Sequence, residues 1–125
     1  MTTTHLLYLH GFRSSPQSAK ARLMAQHMQA QHPDVIWLCP QLPPSPQEAM
    51  AMVSRATADW PAEHMAVVGS SLGGFYATWV AEQRGCRAAL LNPAVNPELG
   101  YNLDAWDGYT VARETVLGLA RFQCV

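Results

Sequence analysis

The apolar run Met65-Ala66-Val67-Val68 passes without a break into Gly69-Ser70-Ser71-Leu72-Gly73, and few folds accommodate that order of events. The five residues fit the pattern G-x-S-x-G, in which a strand turns sharply into a helix and presents its central serine at the turn. The turn is tight and its serine is strained, so side chains at the two glycine positions would meet the neighbouring strand or helix. Gly69 and Gly73 remove those clashes, and Gly74 lets the helix approach the sheet. Ser71 then stands at a helix N-terminus, where free N–H groups and the helix dipole favour negative charge.

The rest of the chain repeats the same strand-then-helix unit. His5-Leu6-Leu7-Tyr8-Leu9 is a short continuous apolar run, as expected of a strand covered on both faces. A helix is predicted from about Ser18 to Gln31, with Ala21, Leu23, Met24 and Met28 inward, and His32-Pro33 stops it. Val35 to Cys39 forms the second strand, and Pro40 to Pro44 a stiff connection. Ser45-Pro46-Gln47-Glu48 is a capping box opening a helix to about Trp60, with Met50, Val53, Ala56 and Trp60 inward. After the third strand, a helix from Leu72 to Gln83 has Gly85 as its C-terminal cap, and Ala88 to Asn92 is the fourth strand. Residues 96–108 read as loop, and Tyr109 to Phe122 as an amphipathic helix weakened by Gly118. Such alternation predicts the α/β class, a doubly wound parallel sheet in the strand order 2-1-3-4.

That order places the loop after the first strand beside the loop after the third, at the topological switch point where such sheets bind ligands. The first of these loops begins His10-Gly11-Phe12. An H-G-x loop donates a backbone N–H to a developing oxyanion, and the residue after the serine donates a second. Phe12 and Leu72 are therefore the expected backbone donors, Gly11, Gly69 and Gly73 the glycines that shape the site, and Ser71 the candidate catalytic nucleophile. A nucleophilic serine of this type takes its histidine base and acid from later in the chain. All five histidines, at positions 5, 10, 27, 32 and 64, precede Ser71. His10 reads as an ordering residue of its loop. His27 and His32 miss the i, i+4 spacing of a helical metal pair. The tryptophans read as packing residues, with Trp106 a candidate pocket wall, and Arg13 as either a surface charge, the favoured reading, or a carboxylate-binding residue near the mouth.

Composition removes several other classes. A chain of 125 residues, 49% hydrophobic and 14% charged, holds one ordinary core and is neither disordered nor fibrous. A net charge of −1 argues against a nucleic-acid or anionic-membrane partner. There is no 18-residue apolar run to span a membrane and no secretory pattern at the N-terminus. Cys39, Cys86 and Cys124 contain no C-x-x-C pair, so neither a metal site nor a disulfide framework is expected, and the thiols fit a reducing cytoplasm.

Leu7-Tyr8-Leu9-His10-Gly11-Phe12, Ser14-Ser15-Pro16, Ser18-Ala19-Lys20-Ala21, Pro40-Gln41-Leu42-Pro43-Pro44 and the stretch from Val68 to Trp79 together resemble the YqiA/YcfP-type esterases of bacteria. Asn92-Pro93-Ala94-Val95 continues the likeness, which covers residues 5–97 and leaves 98–125 as a divergent tail of the one domain. The resemblance implies a small cytoplasmic α/β-hydrolase without a cofactor, acting on short acyl esters or thioesters, with Ser71 as nucleophile. Members of that family run on further, through strands whose loops carry the acid and then the histidine. The expectation is thus a C-terminally shortened hydrolase of doubtful activity. Asp104 and Asp107 lie too early to serve as the acid. Two other readings stay open: a non-catalytic remnant keeping the turn as a ligand or partner site, and an assembly in which another chain supplies the missing groups. A sheet ending at residues 88–92 would also expose an apolar edge and favour self-association.

Overall fold

Hydrophobic runs too short for helices and proline-delimited helical stretches sort this chain into alternating strands and helices. The structure, a computed structural model, describes residues 2–11 and 14–91. Its elements are β1 (His5–Leu9), α1 (Ala19–Gln31), β2 (Ile36–Leu38), α2 (Pro46–Ala56), a single 3₁₀ turn (Ala62–His64), β3 (Met65–Ser70), α3 (Leu72–Arg84) and β4 (Arg87–Leu91). The strands are parallel in the order β2-β1-β3-β4, as the sequence predicts. The register pairs Leu9 with Gly69 and Ser70 with Leu91, so the ends of β1, β3 and β4 finish side by side.

Alternation along each strand sends side chains to two separate cores. Leu7 and Leu9 of β1, Met65 and Val67 of β3 and Leu90 of β4 face α2 and α3, meeting Met50, Val53, Phe75 and Val80. Leu6, Tyr8 and Val68 face the other way, onto Ala21 of α1. Each fully buried large side chain contributes about 1.5–3 kcal/mol relative to exposure. Both faces of the sheet are therefore covered, which is why β1 and β3 carry almost no polar residue.

The helices are capped as their sequences require. Ser18 Oγ accepts from the Ala21 N–H, and Ser45 Oγ from the Glu48 N–H ahead of Pro46. Gly85 closes α3 at φ +67°, with its N–H donated to the Ala81 carbonyl.

Two inward faces differ from expectation. Leu23 is 65% exposed, because Ala21, Met24 and Met28 set the packed stripe of α1 and Leu23 lies more than half a turn from Ala21. In α2 the buried line continues from Met50 and Val53 to Thr57, leaving Ala56 outside. The helix also stops at Ala56 instead of running to Trp60. Thr57 Oγ1 donates to the Val53 carbonyl, and Arg84 donates to Thr57 and Trp60 carbonyls, so the end of α2 is closed by a guanidinium from α3. Trp60 still packs on the core, from the turn beyond the helix. The expected features of residues 92–125, including the loop, the amphipathic helix and the end of the fourth strand at Asn92, lie outside the described residues.

Candidate active site

The turn between β3 and α3 is built by backbone contact. Ser71 sits at φ 56°, ψ −118°, the one non-glycine residue of positive φ among the described residues. That region is sparsely populated for a residue with a side chain and costs on the order of 1–3 kcal/mol. The surrounding contacts hold it there. A Cβ on Gly69 would fall 2.0 Å from the Gly73 carbonyl oxygen, and one on Gly73 would fall 1.9 Å from the Leu9 carbonyl oxygen. The two glycines thus press the start of α3 against β3 and the end of β1. The Ser71 N–H donates to the Leu91 carbonyl (2.9 Å), tying the turn to β4, and the Ser71 carbonyl accepts from Gly74 (2.9 Å). Ser71 itself is exposed, while Leu72 to Thr78 behind it are buried. Leu72 is the first residue of α3, among the N–H groups for which a helix has no internal acceptor.

The loop after β1 reaches this turn. A Cβ on Gly11 would stand 3.5 Å from Ser71 Cβ and 4.0 Å from Ser71 Oγ. His10 is buried and fixed at both ring nitrogens. Its Nε2 accepts the Leu42 N–H (2.8 Å), which makes Nδ1 the protonated nitrogen, and Nδ1–H donates to the Gly11 carbonyl (2.8 Å). The same carbonyl accepts the Ser14 N–H (3.1 Å), and Gln41 Nε2 donates to the Ser14 carbonyl (2.9 Å). The proline-rich connection after β2 therefore serves as a brace for the H-G loop. Phe12 and Arg13 lie outside the described residues.

The other histidines are elsewhere. His5 begins β1, bonded to Thr4 Oγ1 and tilted against Trp60 at 4.8 Å between ring centroids. His64 immediately precedes β3 and bonds the Thr2 carbonyl. Both occupy the amino ends of the strands, opposite Ser71. His27 lies in the second half of α1 and His32 at its end, with their rings 5.7 Å apart. No group of three metal-ligating side chains exists among the described residues. Cys39 and Cys86 are free thiols that stay protonated: burial pushes Cys39 up to about 11 and raises Cys86 as well. Trp106, Cys124, Asp104 and Asp107 lie outside the described residues.

A cavity of about 420 Å³ opens beside Ser71, between the loop after β1, the start of α1 and the β3–α3 turn. Its walls include Tyr8, Ser14, Ser18, Lys20 and Ser70, which stand in the motifs but to which the sequence assigned no site role. Burial raises the Tyr8 phenol, opposed by a hydrogen bond with Ser70 and reinforced by nearby Cys39. A polar residue in an otherwise apolar strand was the available signal for Tyr8.

A family model described as an uncharacterised protein family, UPF0227, matches residues 5–111. The chain belongs to that family. Membership in UPF0227 bears out the YqiA/YcfP-type resemblance seen in the motifs. Among solved structures, this UPF0227 chain is similar to alpha/beta hydrolase domain-containing protein 10 from mouse, at 13% identity and TM-score 0.61, covering 98% of this chain and 63% of that one. It is also similar to a hyperthermophilic esterase from the archaeon Pyrobaculum calidifontis, at 18% identity and TM-score 0.53, covering 98% of this chain and 48% of that one. A bacterial heroin esterase aligns at 16% identity and TM-score 0.50, over 97% of this chain and 45% of that one. The UPF0227 chain thus has the α/β-hydrolase fold and spans less than two thirds of the length of these proteins. No helix among its described residues is long and apolar enough to cross a membrane.

Proposed function

We propose that this chain carries the nucleophile and oxyanion half of a serine hydrolase for short acyl esters or thioesters. The observation that carries the reading is Ser71: an exposed hydroxyl held at φ 56° on a helix N-terminus, with the Gly11 loop packed against it. Ser71 Oγ attacks the acyl carbonyl, and the oxyanion is received by the backbone N–H groups of Leu72 and Phe12. The alcohol or thiol leaves, and water releases the acid from the acyl-serine. We include a cytoplasmic setting in the proposal, on the lack of a C-x-x-C or disulfide-framework pattern in the sequence.

The proton on Ser71 needs an acceptor. His10 has both nitrogens engaged, and the other four histidines are at the amino ends of the strands or on α1. A histidine base would come from outside these 125 residues. Loss of the histidine of such a triad lowers turnover by a factor on the order of 10⁶. The same placement favours a second reading, in which the turn is kept as a ligand or partner site without chemistry.

Added imidazole separates the two. The chain is incubated with p-nitrophenyl acetate over a range of imidazole concentrations, beside Ser71→Ala. The hydrolase reading expects an imidazole-dependent rate above that of the variant, and an acetyl group mapped to Ser71 by peptide mass spectrometry. Identical rates for both proteins, with no adduct at Ser71, would leave the ligand-site reading standing alone.

A further inference from the structure

The cavity beside Ser71 has an unusual lining for an ester site. Acyl pockets are mostly apolar, with a few polar groups that fix orientation. Here Tyr8, Ser14, Ser18, Lys20, Ser70 and Ser71 all present polar side chains, and no Leu, Ile, Val, Met or carboxylate stands among the described lining residues. Among the described lining residues the charge is of one sign. Lys20 is the charged side chain of that lining, and no hydrogen bond or ion pair engages it among the described residues. Two helices begin at this cavity. Ser18 caps α1 and Ser71 precedes α3, so both positive dipole ends lie at its wall.

We propose that this cavity receives an oxyanion carried by the substrate, so that the ester preferred at Ser71 has a carboxylate or phosphate at its far end. The inference rests on Ser71 as the reacting group only for the identity of the ligand as an ester; the anion site itself is a binding claim. Lys20 supplies the charge, and the Ser14 and Ser18 hydroxyls supply neutral donors beside it. About 420 Å³ accommodates a small acyl group together with its anionic terminus.

Binding tests this without turnover. Three methyl esters are titrated into the isotopically labelled chain and followed by backbone amide shifts: monomethyl glutarate, methyl 3-phosphonopropanoate and the neutral dimethyl glutarate. At least one anionic ester is expected to shift the amides around Gly11, Ser18, Lys20 and Ser71 and to bind about five- to tenfold more tightly than the neutral one. Lys20→Met is expected to abolish the preference, and Lys20→Arg to retain it. Lys20 is exposed on α1, so both variants are expected to keep the dispersed spectrum of the parent chain. Equal binding of charged and neutral esters, a preference unchanged in Lys20→Met, or shifts confined to other surfaces would overturn the proposal. Anion-selective binding in a chain whose Ser71 fails the imidazole test would keep the anion site and remove the hydrolase reading. Ser71 acetylation without anion selectivity would do the reverse.

Discussion

His5 and His10 flank the same strand and are held in opposite ways. At the amino end of β1, His5 is half-buried, bonded to the side chain of its neighbour Thr4 and resting on Trp60. At the carboxyl end, His10 is buried and its two nitrogens join two backbone segments, the Gly11 carbonyl and the Leu42 N–H. The amino end of the sheet has side chains packed over two backbone hydrogen bonds, Thr4 N–H to the His64 carbonyl (2.7 Å) and Ile36 N–H to the Thr4 carbonyl (2.9 Å). The carboxyl end is closed by direct backbone packing at Gly69 and Gly73, where a Cβ has no room, with the H-G loop braced by His10. A site that must hold a strained serine is better built on the second kind of contact.

The sharpest way to break this contrast is to add one methyl group at each glycine. Gly73→Ala places a Cβ 1.9 Å from the Leu9 carbonyl oxygen and is expected to lose about 4 kcal/mol or more, or to prevent folding. Gly85→Ala meets nothing within 4 Å and carries only the left-handed backbone cost, about 1–2 kcal/mol. Denaturant titration of the pair measures both, and a Gly73→Ala loss no larger than that of Gly85→Ala would refute the close packing. Next, His10→Ala strands a buried N–H and is expected to cost about 2–3 kcal/mol, against about 0.5–1 kcal/mol for His5→Ala. Equal midpoints for the two variants would erase the difference between the ends of β1.

Ser71→Gly sharpens the comparison from the opposite side. Glycine adopts φ 56° without a Cβ penalty, so thermal melting is expected to show a gain of about 1 kcal/mol. A loss would mean that Ser71 is not strained. The smallest effect is at Cys39, on the α1 side of the sheet. Its thiol is pushed by burial from 9.0 up to about 11, so the folded chain keeps that proton longer than the unfolded one. Stability from this source is complete below pH 9 and is lost as pH rises toward 11. Melting temperatures across that interval are expected to fall less steeply in Cys39→Ala than in the parent chain.

The strand order and the turn at Ser71 were readable because each has a local cause. Apolar runs of β1 and β3 mark buried parallel strands, and G-x-S-x-G names positions where a Cβ has no room. The faces of α1 and α2 were less readable. Leu23 is apolar and solvent-facing, and Thr57 is polar and buried because its hydroxyl donates a hydrogen bond to the Val53 carbonyl. Neither choice follows from hydrophobicity alone. The role of His10 was visible only as a tendency, since its partner Leu42 is thirty-two residues away in a proline-rich connection. The cavity wall was not legible as a site: Ser14, Ser18 and Lys20 belong to stretches that carry the family resemblance, yet they read as ordinary loop and helix-start residues until α1 is laid beside β3.

Gly69 and Gly73 occupy space that each denies the other, since the first abuts the second's carbonyl and the second abuts Leu9. Folding alone requires such a pair. A descendant that had stopped catalysing would still be held to both glycines, whereas its serine would be free to drift to glycine and gain stability in doing so. Within this five-residue signature the glycines therefore testify to the fold. The serine, whose strained backbone is expected to cost stability, is the member that folding does not ask for.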